Sequence, residues 1–232
     1  MSVAIIDDDP SAAKVTQMVV EDAGLQPWLI ERDPSLQRLS KERAMKSVAR
    51  GILQNAESAV CDHRLRPQGF AKFDGAELVA FLIGKRFPAV LISQFVDQDY
   101  DVSIRHWRAK LPSVITRDEF RADTLLAALR MCRSEIDGEL TPQRRPHRVL
   151  IKIVDIQNEA NQRVVDAIVP SWSRQTAVRF PFAIVPPRLH RRLEKEGYLI
   201  AQVNLGANRP EDLFFDKFEI PPTPKNALFD NF

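Results

Sequence analysis

The sequence predicts an α/β domain, built as a parallel sheet covered by helices on both faces, followed by a small, mostly β domain. Two observations carry this expectation. Up to Ile136, short apolar runs alternate with amphipathic stretches, and beyond residue 149 apolar residues recur at every second position. Strands this short and this apolar cannot face water, so helices must cover both sides of the first sheet.

Taken in order, Val3 to Ile6 read as the first strand. Asp9-Pro10 then opens a helix, the carboxylate as cap and the proline at the first helical position. Its apolar face is Ala12, Val15, Val19 and Ala23, and it stops near Gly24. A second strand lies around Pro27 to Glu31, and Asp33-Pro34 repeats the capping pattern ahead of a long helix bearing Leu36, Leu39, Val48, Ile52 and Leu53. "SAVCD" is the third strand, Gly75 to Gly84 a helix, and "PAVLISQF" the fourth strand. A helix containing Ile104, Trp107 and Leu111 leads to "SVITR", the fifth strand, and to a last helix around Leu125 to Cys132.

The composition then changes. "DGELTPQRRPHR" is polar, carries two prolines and has no apolar period, which makes it a linker. The expected division is therefore a first domain over 1–137, a linker over 138–148 and a β-rich domain over 149–232. In "AVRFPFAIV", Val178, Phe180, Phe182 and Ile184 share one side; in "YLIAQVNL", Leu199, Ala201, Val203 and Leu205 do. "RVLIKIVDI", "RVVDAIV" and "LFFDKFEI" add three strands, with one helix at Arg188 to Glu196 and an extended arm in "PPTPKNALFDNF".

With 232 residues, 44% of them hydrophobic, the chain can bury two modest cores. A net charge of +2 argues against binding nucleic acid or a membrane surface by charge alone. No run approaches the roughly 20 apolar residues that span a bilayer, and the N-terminus lacks the pattern of a secretion signal. Cys61 and Cys132 lie in apolar stretches, as buried thiols in a reducing compartment do, so the expected location is the cytoplasm. The four histidines have no metal-ligand spacing among themselves or with the cysteines.

In an open parallel sheet, ligands sit beyond the carboxyl ends of the strands. Here the first strand ends at Asp7 and Asp8, the third at Asp62, the fourth at Ser93 and the fifth at Thr116-Arg117. Crowded carboxylates require a hard cation, and Mg²⁺ takes a few carboxylate oxygens together with waters and a phosphate. That donor set suits phosphoryl transfer, with a carboxylate as nucleophile and the cations offsetting charge on the moving group. Asp62, alone on the central strand, is the expected nucleophile, and Asp9 is expected to cap the first helix. His63 is its sequence neighbour, but adjacent strand residues point to opposite faces, so a catalytic dyad is not expected.

The ordered set "IIDDDP", "VCDHRLRP", "DGAELVAFL", "VLISQF" and "VITRDEF" resembles the receiver domain of two-component response regulators, from about Val3 to Ile136. The resemblance implies a flavodoxin-like, doubly wound fold of five parallel strands in the order 2-1-3-4-5. It implies Mg²⁺ held by Asp7, Asp8, Asp62 and the backbone carbonyl of Arg64, with Asp62 phosphorylated by a histidine kinase or phosphotransfer protein and Ser93 touching the phosphate. Three departures stand out. Arg117-Asp118 replaces the family's lysine-proline pair, and arginine is longer, planar and not interchangeable with lysine. The family's switch aromatic falls on Val114, which has no ring. The segment between Asp62 and Asp74 is longer than the family's, which predicts that Gln68 to Phe73 lie across the pocket.

The C-terminal part, residues 138–232, carries a net charge of +3 against −1 for residues 1–137, with "RRPHR" and "RLHRR" as its most basic stretches. It shows no helix-turn-helix pattern, so a protein partner is preferred to nucleic acid, with self-association as a dimer a further form of output. The expected function is a phosphorelay receiver, not an enzyme, signalling through its β domain. The alternative is a phosphorylation-independent receiver in which Arg117 locks Asp62 in an ion pair. A phosphatase-like enzyme is disfavoured, because Arg64 stands where that chemistry wants a second aspartate.

Overall fold

The computed structural model describes residues 1–66, 69–94, 100–159, 162–193 and 197–222. It divides into two compact units, Met1–Arg144 and Arg145–Phe232. The division falls inside the expected linker, and the last residue of the first unit is anchored: buried Arg144 pairs with Glu135 at 2.7 Å and donates to the carbonyl of Arg108.

In the first unit the strands β1 (Ser2–Ile6), β2 (Gln26–Leu29), β3 (Ser58–Asp62), β4 (Ala89–Ser93) and β5 (Val114–Thr116) form a parallel sheet in the order β2-β1-β3-β4-β5. Alternate residues supply two cores, as a period of two requires. Ala4, Ile6, Ala59, Cys61, Ala89 and Leu91 pack with helices α2 (Lys41–Asn55) and α3 (Gly75–Gly84), while Val3, Ile5, Val60, Val90 and Ile92 pack with α1 (Pro10–Asp22) and α4 (Ala122–Ile136). The sheet is therefore doubly wound, as expected.

Several elements differ from the sequence expectations, each for a local reason. Asp9 caps α1 by accepting from the Ser11 amide, but the buried stripe of the helix is Ala13, Thr16 and Val20; Val15 is 57% exposed and Met18 63%. A threonine on the inward face concealed the phase of that helix. Asp33-Pro34 opens only a 3₁₀ turn, Pro34–Arg38; α2 starts afresh at Lys41 behind its own cap, Ser40. The segment 100–110 is a run of π, α and 3₁₀ turns, and Leu111 leaves it extended, the conformation imposed on a residue before proline. The segment 69–73 does not cross the pocket. Phe70 and Phe73 are apolar enough to join the core beside α2 and α3, and the Gly69 carbonyl accepts from Gln37 at 2.7 Å; Gln68 lies outside the described residues.

The second unit is an antiparallel sheet of order β10-β9-β6-β7-β8, comprising β6 (His147–Glu159), β7 (Gln162–Val169), β8 (Ser173–Pro181), β9 (Tyr198–Val203) and β10 (Phe215–Glu219). One face buries Ile151, Val165, Val178, Phe180, Ala201 and Phe215. β8 ends at Pro181, and Phe182–Ile184 form a 3₁₀ turn instead of continuing the strand. The expected helix at Arg188 is a 3₁₀ stretch, Pro187–Arg192, started by a proline; Glu194 to Glu196 and the arm from Thr223 lie outside the described residues.

Candidate functional site

Parallel register brings the strand ends to one edge. Ile6 pairs with Cys61, Asp62 with Ile92, and Ser93 with Thr116, so Asp7, Asp62, Ser93 and Arg117 emerge side by side. They line a cleft of about 230 Å³ together with Asp8, Asp9, Ala12, His63, Arg64 and Gln94. Every residue read from the sequence as a site residue is therefore at this cleft.

The approach of α3 is set by Gly75. A Cβ there would sit 1.9 Å from the Asp62 carbonyl oxygen, so only glycine lets the helix start so close to the end of β3. The Asp62 carboxylate is fixed at both oxygens: Oδ2 accepts from the Arg64 amide at 2.7 Å, and Oδ1 from Arg117 Nη2 at 2.7 Å. The same Nη2 donates to Asp7 Oδ2 at 2.5 Å, and Asp7 Oδ1 accepts from the Asp9 amide at 3.0 Å. Arg117 Nη1 donates to the hydroxyl of Thr16 at 3.1 Å. Side-chain exposures are 3% for Asp7, 12% for Asp62 and 19% for Arg117.

One guanidinium faces two nearly buried carboxylates, and the electrostatics follow from that imbalance. Burial, and next the Asp7 carboxylate, push the Asp62 carboxyl up to about 6 against the pull of Arg117. Burial works against the Arg117 charge, yet its hydrogen bond and attraction to Asp7, followed by the charge of Asp62, outweigh it and hold the guanidinium above its ordinary value. Burial and the two carboxylates also raise the Cys61 thiol well above its usual range, which leaves it a protonated core residue with no nucleophilic role.

Asp7, Asp8 and Asp62 each offer a carboxylate oxygen, and the three lie within 4.8 Å of one another. Three hard oxygen donors beside a cleft fit a hard divalent cation such as Mg²⁺. Ser93 is buried, and its hydroxyl has no hydrogen-bond partner among the described residues, as suits a donor whose acceptor is a ligand. His63, which also lines the cleft, is engaged elsewhere through its ring: its Nε2 lies 2.7 Å from Ser103 Oγ. Trp107 packs, partly buried, against the core, and Val114 does the same. Thr16 is the site residue that periodicity missed; the signal was a hydroxyl interrupting the stripe of Ala13 and Val20.

No family model and no curated protein matches the sequence. Solved structures do. The signal receiver domain of a modulated diguanylate cyclase from Desulfovibrio desulfuricans is similar at 18% identity and a TM-score of 0.45, over 60% of this chain and 98% of that one. A response regulator receiver domain protein from Clostridium thermocellum is similar at 12% identity and 0.41, over 60% and 98%. The BeF₃-activated N-terminal receiver domain of RstA from Klebsiella pneumoniae is similar at 19% and 0.39, over 57% and 98%. The solved structures similar to the first three-fifths of this chain thus include receiver domains of response regulators.

Proposed function

We propose that the first unit is a phosphorelay receiver in which Asp62 accepts a phosphoryl group from a histidine kinase or phosphotransfer protein. The observation that carries this reading is the convergence of Asp7, Asp8, Asp62, Ser93 and Arg117 on one cleft at the carboxyl edge of the sheet. A carboxyl titrating at about 6 is mostly ionised at neutral pH, so Asp62 is available as a nucleophile. One of its oxygens forms the new P–O bond as the bond from phosphorus to the donor breaks, and the donor leaves with that electron pair. The product is an acyl phosphate.

Asp7, Asp8, Asp62 and the Arg64 carbonyl would hold Mg²⁺, which when bound offsets charge on the phosphoryl oxygens. The Ser93 hydroxyl donates to one of those oxygens, and the Arg117 guanidinium stabilises the charge that develops there. A phosphoryl group of roughly −1.5 to −2 charge biases a two-state equilibrium only if both states contact it differently. Its output in this reading is a protein partner met by the β unit, 145–232, and the chain is a switch, with no external substrate to turn over.

A second reading is favoured by one contact. Arg117 pairs with Asp62 at 2.7 Å, so a phosphorylation-independent receiver would keep this guanidinium as its permanent counter-charge. Incubation with acetyl phosphate and Mg²⁺, followed by intact-mass measurement, separates the two. The phosphoacceptor reading expects one added phosphoryl group on the wild type and none on Asp62→Ala. A wild type that never labels selects the second reading.

A further inference from the structure

The geometry points to Thr16 as the positioning residue that sets how readily the cleft takes a divalent cation, by holding Arg117 across Asp7 and Asp62. This rests on the metal site proposed above and deepens it. Thr16 is 1% exposed, in the middle of α1, and 101 residues from Arg117 in sequence. Its neighbours on the buried stripe, Ala13 and Val20, are apolar, and a valine would fill its place with the same shape. The hydroxyl is explained by the bond it accepts from Nη1, because a buried hydroxyl without a partner is costly.

That bond has a consequence for the other arm of the guanidinium. A planar fork fixed at Nη1 cannot turn freely, so Nη2 stays on the two oxygens it shares, Asp7 Oδ2 and Asp62 Oδ1. Among the described residues, Thr16, Asp7 and Asp62 are the hydrogen-bond partners of this guanidinium. A divalent cation that bridges Asp7 and Asp62 draws on the same carboxylates and repels the same positive charge, so its entry requires Arg117 to give way. The cleft thus has two internally consistent occupants, and Thr16 favours the guanidinium. Removing the hydroxyl leaves every charge in place and shifts that balance toward the metal.

The test is calorimetric titration of Mg²⁺ into wild type, Thr16→Val and Thr16→Ser at constant ionic strength, with circular dichroism and melting curves as the check on folding. Loss of a hydrogen bond to a charged group predicts that Thr16→Val binds Mg²⁺ about tenfold more tightly, and that Thr16→Ser, which keeps the hydroxyl, stays within about twofold of wild type. A folded Thr16→Val with unchanged or weaker affinity overturns the inference. Arg117→Met keeps its failure distinct from that of the metal site. If Arg117→Met binds Mg²⁺ more tightly than wild type and Thr16→Val does not, only the role of Thr16 is lost. If wild type, Thr16→Val and Arg117→Met all fail to bind, the metal site itself is wrong and the inference goes with it.

Discussion

Each unit of this protein contains an arginine shared by two carboxylates, and the two triads are built differently. From β8, Arg179 joins Asp166 on β7 and Glu159 at the end of β6, with side-chain exposures of 30%, 16% and 46%. Asp166 and Arg179 are direct partners in the ladder, so this triad is a cross-strand pair extended by one neighbour. Arg117 joins Asp7 and Asp62 from three different strand ends, and its exposure, 19%, is the largest of the three. The comparison shows that a bridging arginine does not by itself make a site. Convergence of strand ends, loss of water and a third carboxylate, Asp8, distinguish the first triad.

That contrast can be broken by experiment, and the largest expected effect is at Arg117. Arg117→Ala leaves two buried carboxylates facing each other and should cost about 3–5 kcal/mol in urea unfolding at pH 7 without metal. A cost below that of the exposed triad would show that water reaches the cleft.

The next effect concerns pH. Asp62 has a folded value of about 6 against 3.8 for the free carboxyl, so the folded state holds the proton more tightly. Its contribution to stability is complete below pH 4 and is lost as pH rises through 6, a fall of about 3 kcal/mol in metal-free protein. Asp62→Asn should remove that slope, which parallel urea titrations at pH 4 and pH 7 would measure. An unchanged slope would assign the acid behaviour to other groups.

The smallest effect belongs to the second triad. Arg179→Ala should cost about 1 kcal/mol or less, and added salt should reduce the difference further, because that pair is partly solvated. A loss as large as that of Arg117→Ala would erase the distinction between the two units.

How much of this was legible beforehand follows from what one-dimensional patterns contain. The strand-end carboxylates were readable because parallel topology carries the residues after each strand to one edge, so Asp7, Asp62, Ser93 and Arg117 could be named from alternation alone. Asp9 was readable as a cap because the proline after it sets the helix start. Thr16 was not, since its role depends on a partner 101 residues away and a hydroxyl reads as solvent-facing. Phe70 and Phe73 were misplaced for the opposite reason: loop length suggested a cover for the cleft, whereas burial of two aromatic rings draws the segment into the core. Arg144 looked like part of a polar linker, and only its pairing with Glu135 shows that the first unit extends that far.

The most direct measurement is a Mg²⁺ titration of the wild type followed through the backbone amides of Asp9 and Arg64. These amides donate to Asp7 Oδ1 and Asp62 Oδ2, so they report on the proposed ligands without passing through catalysis. Mg²⁺ held by these carboxylates shifts both resonances together along a single saturating curve, which disappears in Asp62→Asn. Resonances that stay fixed while exposed carboxylates elsewhere respond would contradict it.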